Sequence, residues 1–342
     1  MERAVISLPA KVYVEERARN KTNQILESLH LGKKCTIFSS TSIIDFVKEE
    51  IVPKLSFEIQ IIEPETNTKE YIEGISKNLE TDFILAVGGG RIIDTAKYSA
   101  SFLKKPWIAF PTIPSHDGVV SSRASISHKG MKISFSAEEP VAIIADLETL
   151  KKAPYRMIAS GVGDMLSNIT SVEDWRIANA VGKEEYNALI AELALIPARA
   201  VLQHEEDIIS VKIHGLEILM WSLICSGFAM NIYGSSRPCS GSEHNFSHAL
   251  DALGCKALHG EKVALGALIM SYLQEKDHEK IKQAMKKFNL PKNAEELKTS
   301  EDAIIKALTL SREIRDRYTI LNKNRIDRDR AIEILKDLDI IA

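Results

Sequence analysis

Three of the chain's nine histidines, His244, His248 and His259, crowd into one short stretch, GSEHNFSHALDALGCKALHGEKVALG. His244 and His248 stand four apart and share one face of any helix that carries both. Neutral imidazole is the commonest metal ligand, and the upstream segment GVGDMLSN offers a carboxylate, Asp164, among small residues that let its backbone approach another element. Two imidazoles and a carboxylate make a three-ligand zinc set that leaves a position free for water or substrate. A lone histidine is more often structural, and His30, His128 and His278 are read that way.

A second kind of chemistry is written in FILAVGGGRIIDTAK, where Gly88, Gly89 and Gly90 stand directly after a buried strand and directly before a helix. Glycines there let backbone N–H groups approach a pyrophosphate, and the helix start adds partial positive charge. The spacing is not the G-x-G-x-x-G of the usual dinucleotide fingerprint, and a plain tight turn accounts for the glycines equally well. Asp94, four positions past Gly90, is also readable as a first-turn acid favoured by the helix dipole. The loop PTIPSHDGVVSS follows the run PWIAF and puts Thr112, Ser115, His116, Asp117 and Ser121 on the same sheet edge, where parallel sheets bind ligands. Taken alone, that loop reads better as a turn on Asp117-Gly118 with capping serines. In GSSRPCSGSEH, Arg237 offers a planar donor fork and Ser235, Ser236 and Ser240 offer hydroxyls for a phosphate; a surface loop with a solvated arginine is the equal alternative.

The elements that must hold these groups follow from periodicity. Short β-branched runs (CTIFSS from Cys35, FEIQIIE from Phe57, FILAVGGG from Phe83, PWIAFPTIP from Pro106) alternate with the helix-like segments SIIDFVKEEIVPKL, KEYIEGISKNLET and RIIDTAKYSASFL. That alternation predicts an α/β domain on a parallel sheet. ASISHKGMKISF predicts a hairpin about Lys129-Gly130, and PVAIIADLETLKKAP a strand entering a helix. From about Pro154 the strand signals stop and long amphipathic patterns such as EEYNALIAELALIPARAVLQH and SEDAIIKALTLSREIRDRY take over. The expected organisation is an α/β dinucleotide-binding domain over 1–150 and an all-helical metal- and substrate-binding domain over 151–342, meeting at a tight hinge and a cleft.

The 342 residues exceed what one hydrophobic core usually serves. With 44 basic and 47 acidic residues, a net charge of -3, there is no excess of positive charge for a nucleic acid backbone. Cys35, Cys225, Cys239 and Cys255 are scattered without a C-x-x-C pair and read as reduced thiols. The start MERAVISLPAKVYVEE lacks the apolar run of a secretory signal. Leu216 to Tyr233 is interrupted by Glu217 and Asn231, which leaves too short a span for a membrane helix. A soluble, cytoplasmic protein without nucleic-acid or membrane partners is expected, and homo-oligomers are compatible with the sequence.

Taken in order, GGGRIIDTAK, the PSHDG loop, GVGDMLSN and the HNFSHALDA to HGEKVALG pair resemble the superfamily of dehydroquinate synthases, glycerol dehydrogenases and iron-containing alcohol dehydrogenases. Within it, PTIPSHDG and the IRDRYTIL segment around Tyr318 are similar to the sn-glycerol-1-phosphate dehydrogenase family, which makes the glycerophosphate backbone of archaeal lipids. The likeness runs from roughly residue 1 to 340. It implies one Zn2+ per chain held by Asp164, His244 and His259, substrate contacts from His248 and Asp117, and a cofactor, NADH or NADPH, lined by Gly88, Gly89, Gly90, Arg91, Ile92, Ile93, Asp94, Thr112, Ser115 and Ser121. The implied reaction is hydride transfer to C2 of dihydroxyacetone phosphate, with zinc polarising the carbonyl and His248 and Asp117 serving the chemistry. Glycerol dehydrogenases carry an acid just after the strand that here runs into Ser39, Ser40, Thr41 and Ser42, with none before Asp45. Hydroxyls in its place predict that NADPH is admitted as well as NADH, whether or not the serines also cap the next helix. The rival readings are a polyol dehydrogenase, a dehydroquinate synthase-like lyase, which the scarcity of Lys and Arg in the motif loops disfavours, and a non-catalytic sensor of dinucleotide or phosphosugar.

Overall fold

A computed structural model describes residues 6–342; residues 1–5, the charged start of the chain, lie outside the described residues. Eight strands form: β1 (Lys11–Glu15), β2 (Lys34–Phe38), β3 (Glu58–Ile62), β4 (Phe83–Gly88), β5 (Trp107–Pro111), β6 (Arg123–His128), β7 (Met131–Ser136) and β8 (Ala142–Asp146). Helices of eight residues or more are α1 (Lys69–Ser76), α2 (Gly90–Leu103), α3 (Tyr155–Ala180), α4 (Ala188–Gln203), α5 (Ile213–Tyr233), α6 (Ser242–Ala252), α7 (His259–Leu273), α8 (His278–Lys287), α9 (Glu301–Leu310) and α10 (Arg328–Asp337).

Six strands make one sheet in the order β1-β8-β5-β4-β2-β3, every neighbouring pair parallel. Because both faces are covered, β4 reads as the unbroken apolar run FILAVG: Ile84 and Ala86 join the core shared with the helices, while Phe83, Leu85 and Val87 face the opposite layer. The chain goes from β2 outward to β3 and then returns to lay β4 on the other side of β2. The strand order therefore reverses between β2 and β4, the place where such sheets hold a dinucleotide beyond their carboxyl ends.

The expected hairpin is β6–β7, turned at Lys129 (φ 50°) and Gly130 (φ 78°), two positive φ values that match the twist of a two-residue turn. Its inner face, Ala124 and Ile126, packs on Ile72 of α1. The alternate residues Arg123 and Ser125 turn the other way, into the cleft.

Four expectations change. The strand β1, KVYVE, is a sequence miss: it alternates too weakly to stand out and lies at the sheet edge, paired only with β8. SIIDFVKEEIVPKL is no regular helix but a chain of short turns, in which Ile and Val crowd the backbone and Pro53 removes a donor. The pattern SEDAIIKALTLSREIRDRY stops being helical after a turn at Ser311–Glu313, so Arg315 and Arg317 lie on an irregular segment. The apolar helix α5 is 21 residues long with mean hydropathy 1.4, enough by length and composition to cross a membrane, contrary to the expectation that it is too short. Its apolar residues, among them Leu216, Leu219, Leu223 and Ile224, sit in the protein's own core.

Candidate active site

Asp164 lies midway along α3, His244 in the first turn of α6 and His259 at the start of α7. Two glycines set how closely α3 and α7 cross. A Cβ on Gly163 would stand 2.2 Å from the Gly260 carbonyl oxygen, and one on Gly260 would stand 1.7 Å from that of Ser160, so neither position admits a side chain. The Gly260 amide donates to Ser160 Oγ (3.1 Å), and Glu261 ties down the start of α7 by accepting from the Leu258 amide (2.8 Å) and from Arg156 (2.6 and 2.8 Å).

The result is a compact donor set. Asp164 Oδ1 is 3.4 Å from His259 Nε2 and 3.9 Å from His244 Nε2, and ligand atoms of all three lie within 4.8 Å of one another. Neighbouring ligands on a tetrahedral zinc ion with bonds of about 2.0–2.1 Å stand about 3.3 Å apart. The set therefore fits a divalent ion after small adjustments. Glu243 meets His244 Nδ1 at 2.8 Å and also accepts from Thr170 Oγ1 at 3.0 Å, an arrangement that turns Nε2 toward Asp164. Burial pushes Asp164 upward, but the imidazoles of His259 and His244 outweigh it and hold the carboxyl below its usual range. Burial lowers His259, so its imidazole is kept neutral, the form a metal needs.

The PSHDG loop crosses this group. The Asp117 amide donates to Asp164 Oδ2 (2.9 Å), and the Asp117 carboxyl accepts from Ser226 Oγ (2.8 Å). Burial, then the charge of Asp164, drive Asp117 well above the ordinary carboxylate range. His116 Nδ1 accepts from the Gly118 amide (3.0 Å), and its ring covers Gly90 so closely that a Cβ there would stand 2.0 Å from Nε2. Burial and the neighbouring His259 pull His116 down to about 4. His248, one turn beyond His244, is held below its usual range by burial and by the charge of Arg315, whose Nη2 meets its Nε2.

Around these groups lies a cleft of roughly 360 Å³, lined among others by Gly90, Arg91, Asp94, Asp117, Ser121, His244, His248 and His259. The remaining expected cofactor residues divide. Gly88 and Gly89 form the turn into α2, Thr112 and Ser115 stand on the loop behind it, and no backbone carbonyl accepts from the Gly90 or Arg91 amides at the helix start. Ile92 and Ile93 are corrections: both side chains are in the core, and both amides are taken by the Gly89 carbonyl (2.9 and 3.1 Å). Asp94 lies beyond the first turn, so the dipole reading fails. Burial raises it to about 6, and it faces Lys97 at 3.8 Å. Lys97 in turn donates to the carbonyls of Gly118 and Arg123, so the pair ties α2 to the PSHDG loop and to β6.

Arg237 is the clearest correction. Only 1% exposed, it pairs with Glu184 (2.7 Å) and donates to the carbonyls of Asp174 and Tyr318 (2.8 Å each), so it is neither solvated nor turned to a substrate. Its neighbours Ser236 and Ser240 do reach the cleft, together with Arg123, Lys132 and Arg315. Those three cations come from the hairpin and from the segment after α9: Arg123 directly follows the PTIPSHDGVVSS loop and Arg315 lies in IRDRYTIL, yet nothing in residue type or spacing marked them as lining the cleft. The serines after β2 do not cap: no side-chain cap bond forms at Ser40, whose hydroxyl meets Ser42 Oγ at 2.9 Å, while Ser39 Oγ is buried without a partner.

Residues 13–154 match the iron-containing alcohol dehydrogenase family. Proteins of Thermococcus sibiricus and Thermococcus kodakarensis named glycerol-1-phosphate dehydrogenase (NAD(P)+) are each 39% identical, over 98% of both chains in the first case and 100% of both in the second. A crystal structure of glycerol dehydrogenase from Schizosaccharomyces pombe superposes with a TM-score of 0.82 at 20% identity, covering 99% of this chain and 91% of the other, which establishes the fold. With near-full-length identity at this level, the chain belongs to the glycerol-1-phosphate dehydrogenase family.

Proposed function

We propose that the chain reduces dihydroxyacetone phosphate to sn-glycerol 1-phosphate with NADH or NADPH, as the names of its relatives indicate for them. The observation that carries the reading is the Asp164, His244, His259 set lying in the same cleft as the start of α2, next to the point where the strand order reverses. When bound there, Zn2+ or a similar divalent ion supplies Lewis-acid polarisation of a carbonyl without taking part in redox itself.

The chain's own groups do the positioning. The unpaired amides at the start of α2 and the glycine turn before it suit the cofactor's pyrophosphate, and Ser39 and Ser40 at the end of β2 suit the adenosine ribose. Asp117, its carboxyl pushed above the ordinary range by burial and the charge of Asp164, is placed to hold the substrate's free hydroxyl. His248, fixed by Arg315, is placed to contact a substrate oxygen or to relay a proton through water. Bound at the glycine turn and the start of α2, the dinucleotide would supply the hydride that reduces the C2 carbonyl, and the proton for the C2 oxygen would come through His248 or water. We place the dinucleotide on the part before about residue 150 and the metal and substrate on the helical part, with the cleft between them, and assign the work to the cytoplasm.

The test follows NADH and NADPH absorbance with dihydroxyacetone phosphate, dihydroxyacetone and glycerol as competing substrates, with chiral analysis of the product. Chelation is expected to abolish activity reversibly without unfolding, and Asp164→Asn or His259→Ala to lose both metal and turnover. A metal-free variant that stays active overturns the ligand assignment.

A further inference from the structure

The end of the cleft beyond His248 carries an imbalance of charge. Arg123 and Lys132 reach it from the cleft-facing side of the hairpin, and Arg315 from the irregular segment after α9. None of the three has an ion-pair partner among the described residues. The carboxylates that line the cavity are committed elsewhere: Asp251 to Lys262, Asp94 to Lys97 and Asp117 to Ser226. Arg317, which also approaches, donates to the Ser240 carbonyl and Ser236 Oγ (3.2 Å) and forms the wall. Arg123 donates Nε to Ser134 Oγ (3.1 Å) and Nη2 to the Ser134 carbonyl (2.7 Å) within the hairpin, which leaves Nη1 for a ligand.

Arg315 is held for a purpose other than pairing. Its Nη1 donates to Ser240 Oγ (2.8 Å) and its Nη2 meets His248 Nε2, which fixes the plane of the guanidinium one helical turn from the ligand His244. Burial, then the charge of Arg317, lowers Arg315 to about 10; Glu243 offsets this only in part and forms no ion pair with it. A half-buried planar fork, a lysine, a second arginine and two serine hydroxyls, Ser236 and Ser240, are the donors that a tetrahedral dianion takes.

We propose that Arg315, Arg123 and Lys132, with the hydroxyls of Ser236 and Ser240, form a phosphate-monoester subsite at the end of the cleft opposite the dinucleotide turn, and that this subsite makes the enzyme choose a phosphorylated substrate over the free polyol. The proposal rests on the reading of the site given above and names the residues that set its substrate class. His248 meets Arg315 and stands one helical turn from His244, so it links this end of the cleft to the metal set.

The experiment uses the metal-loaded full chain and two variants. Arg315→Gln removes the fixed fork, and Lys132→Gln, on an exposed hairpin position, removes a charge without touching the packing. Kinetics measure the ratio of kcat/KM for dihydroxyacetone phosphate over dihydroxyacetone, and calorimetry measures the binding of inorganic phosphate. The expected results are a fall in that ratio of about tenfold or more for Arg315→Gln and about threefold for Lys132→Gln, a KM for NADH and NADPH that moves less than about twofold, and loss of phosphate binding in Arg315→Gln. Equal losses for both substrates, or an altered KM for the cofactor with the substrate ratio preserved, overturn the proposal, because Arg315 would then only brace His248 or read the dinucleotide. A wild-type enzyme that ignores dihydroxyacetone phosphate yet binds inorganic phosphate through Arg315 supports the subsite and overturns the substrate named above.

Discussion

Truncating Arg237 would strand Glu184 and leave the carbonyls of Asp174 and Tyr318 without their donor. Arg237→Ala is expected to lower unfolding free energy by about 2–3 kcal/mol, the lower part of the range for a broken buried pair because Glu184 is 27% exposed. Denaturant titration checks this, and the KM for dihydroxyacetone phosphate measured on the folded variant should stay within about twofold. At the end of β2, Ser40→Asp puts a negative charge where the adenosine ribose is proposed to lie. It is expected to raise the KM for NADPH about tenfold, equal to about 1.4 kcal/mol, with NADH affected less. A variant with the parent's cofactor ratio would show that this strand end does not read the ribose. Type and spacing pointed to the histidine cluster and Asp164, but it was the family resemblance that singled out His259 rather than His248, and Asp164, His244 and His259 do converge in the structure. The two arginines were not legible: Arg237 and Arg315 both sit in polar, serine-flanked or charged loops, and only the ion pair of one with Glu184 and the opening of the other into the cleft tell them apart.

At the scale of elements, the crossing of α3 and α7 decides whether the donors can share an ion. Gly163→Ala drives a methyl to 2.2 Å from the Gly260 carbonyl and must push the helices apart. The expected cost is about 1–3 kcal/mol in stability and a loss of metal affinity of about tenfold or more, since Asp164 and His259 separate. Equilibrium dialysis with zinc and thermal unfolding measure the two effects. The control is Gly74→Ala in α1, where nothing lies within 4 Å of the added methyl, expected to stabilise slightly. Strong periodicity made α1, α2, α4 and the buried strands legible, and the Lys129-Gly130 pair announced the hairpin. What failed were boundaries and edges. SREIRDRY keeps a helical pattern of charge, yet the chain leaves the helix at Ser311–Glu313 because tertiary hydrogen bonds from Arg315 and Arg317 to Ser240 outweigh weak local preference.

At the scale of the whole molecule, one apolar cluster runs from Val14 and Phe38 in the sheet through Leu219 and Leu268 in the helices to Ile340. Such continuity predicts that sheet and helices unfold together rather than as two bodies on a hinge. Fluorine NMR of fluorotryptophan-labelled protein would follow Trp107 on β5 and Trp175 on α3 separately, and the two are expected to lose their native signals at the same urea concentration. The edge pairing of β1 with β8 bears on how the chain is made. Lys11 has to wait for Ala142, and at a ribosomal speed of about 5–20 residues per second that wait lasts roughly 7–26 seconds. For that interval the strand KVYVE emerges from the exit tunnel with its amides and carbonyls unmatched, within reach of chaperones. A segment synthesised early is thus among the last pieces the nascent sheet can seat, beside a strand, β8, that Arg19 holds through Asp146 (2.9 Å).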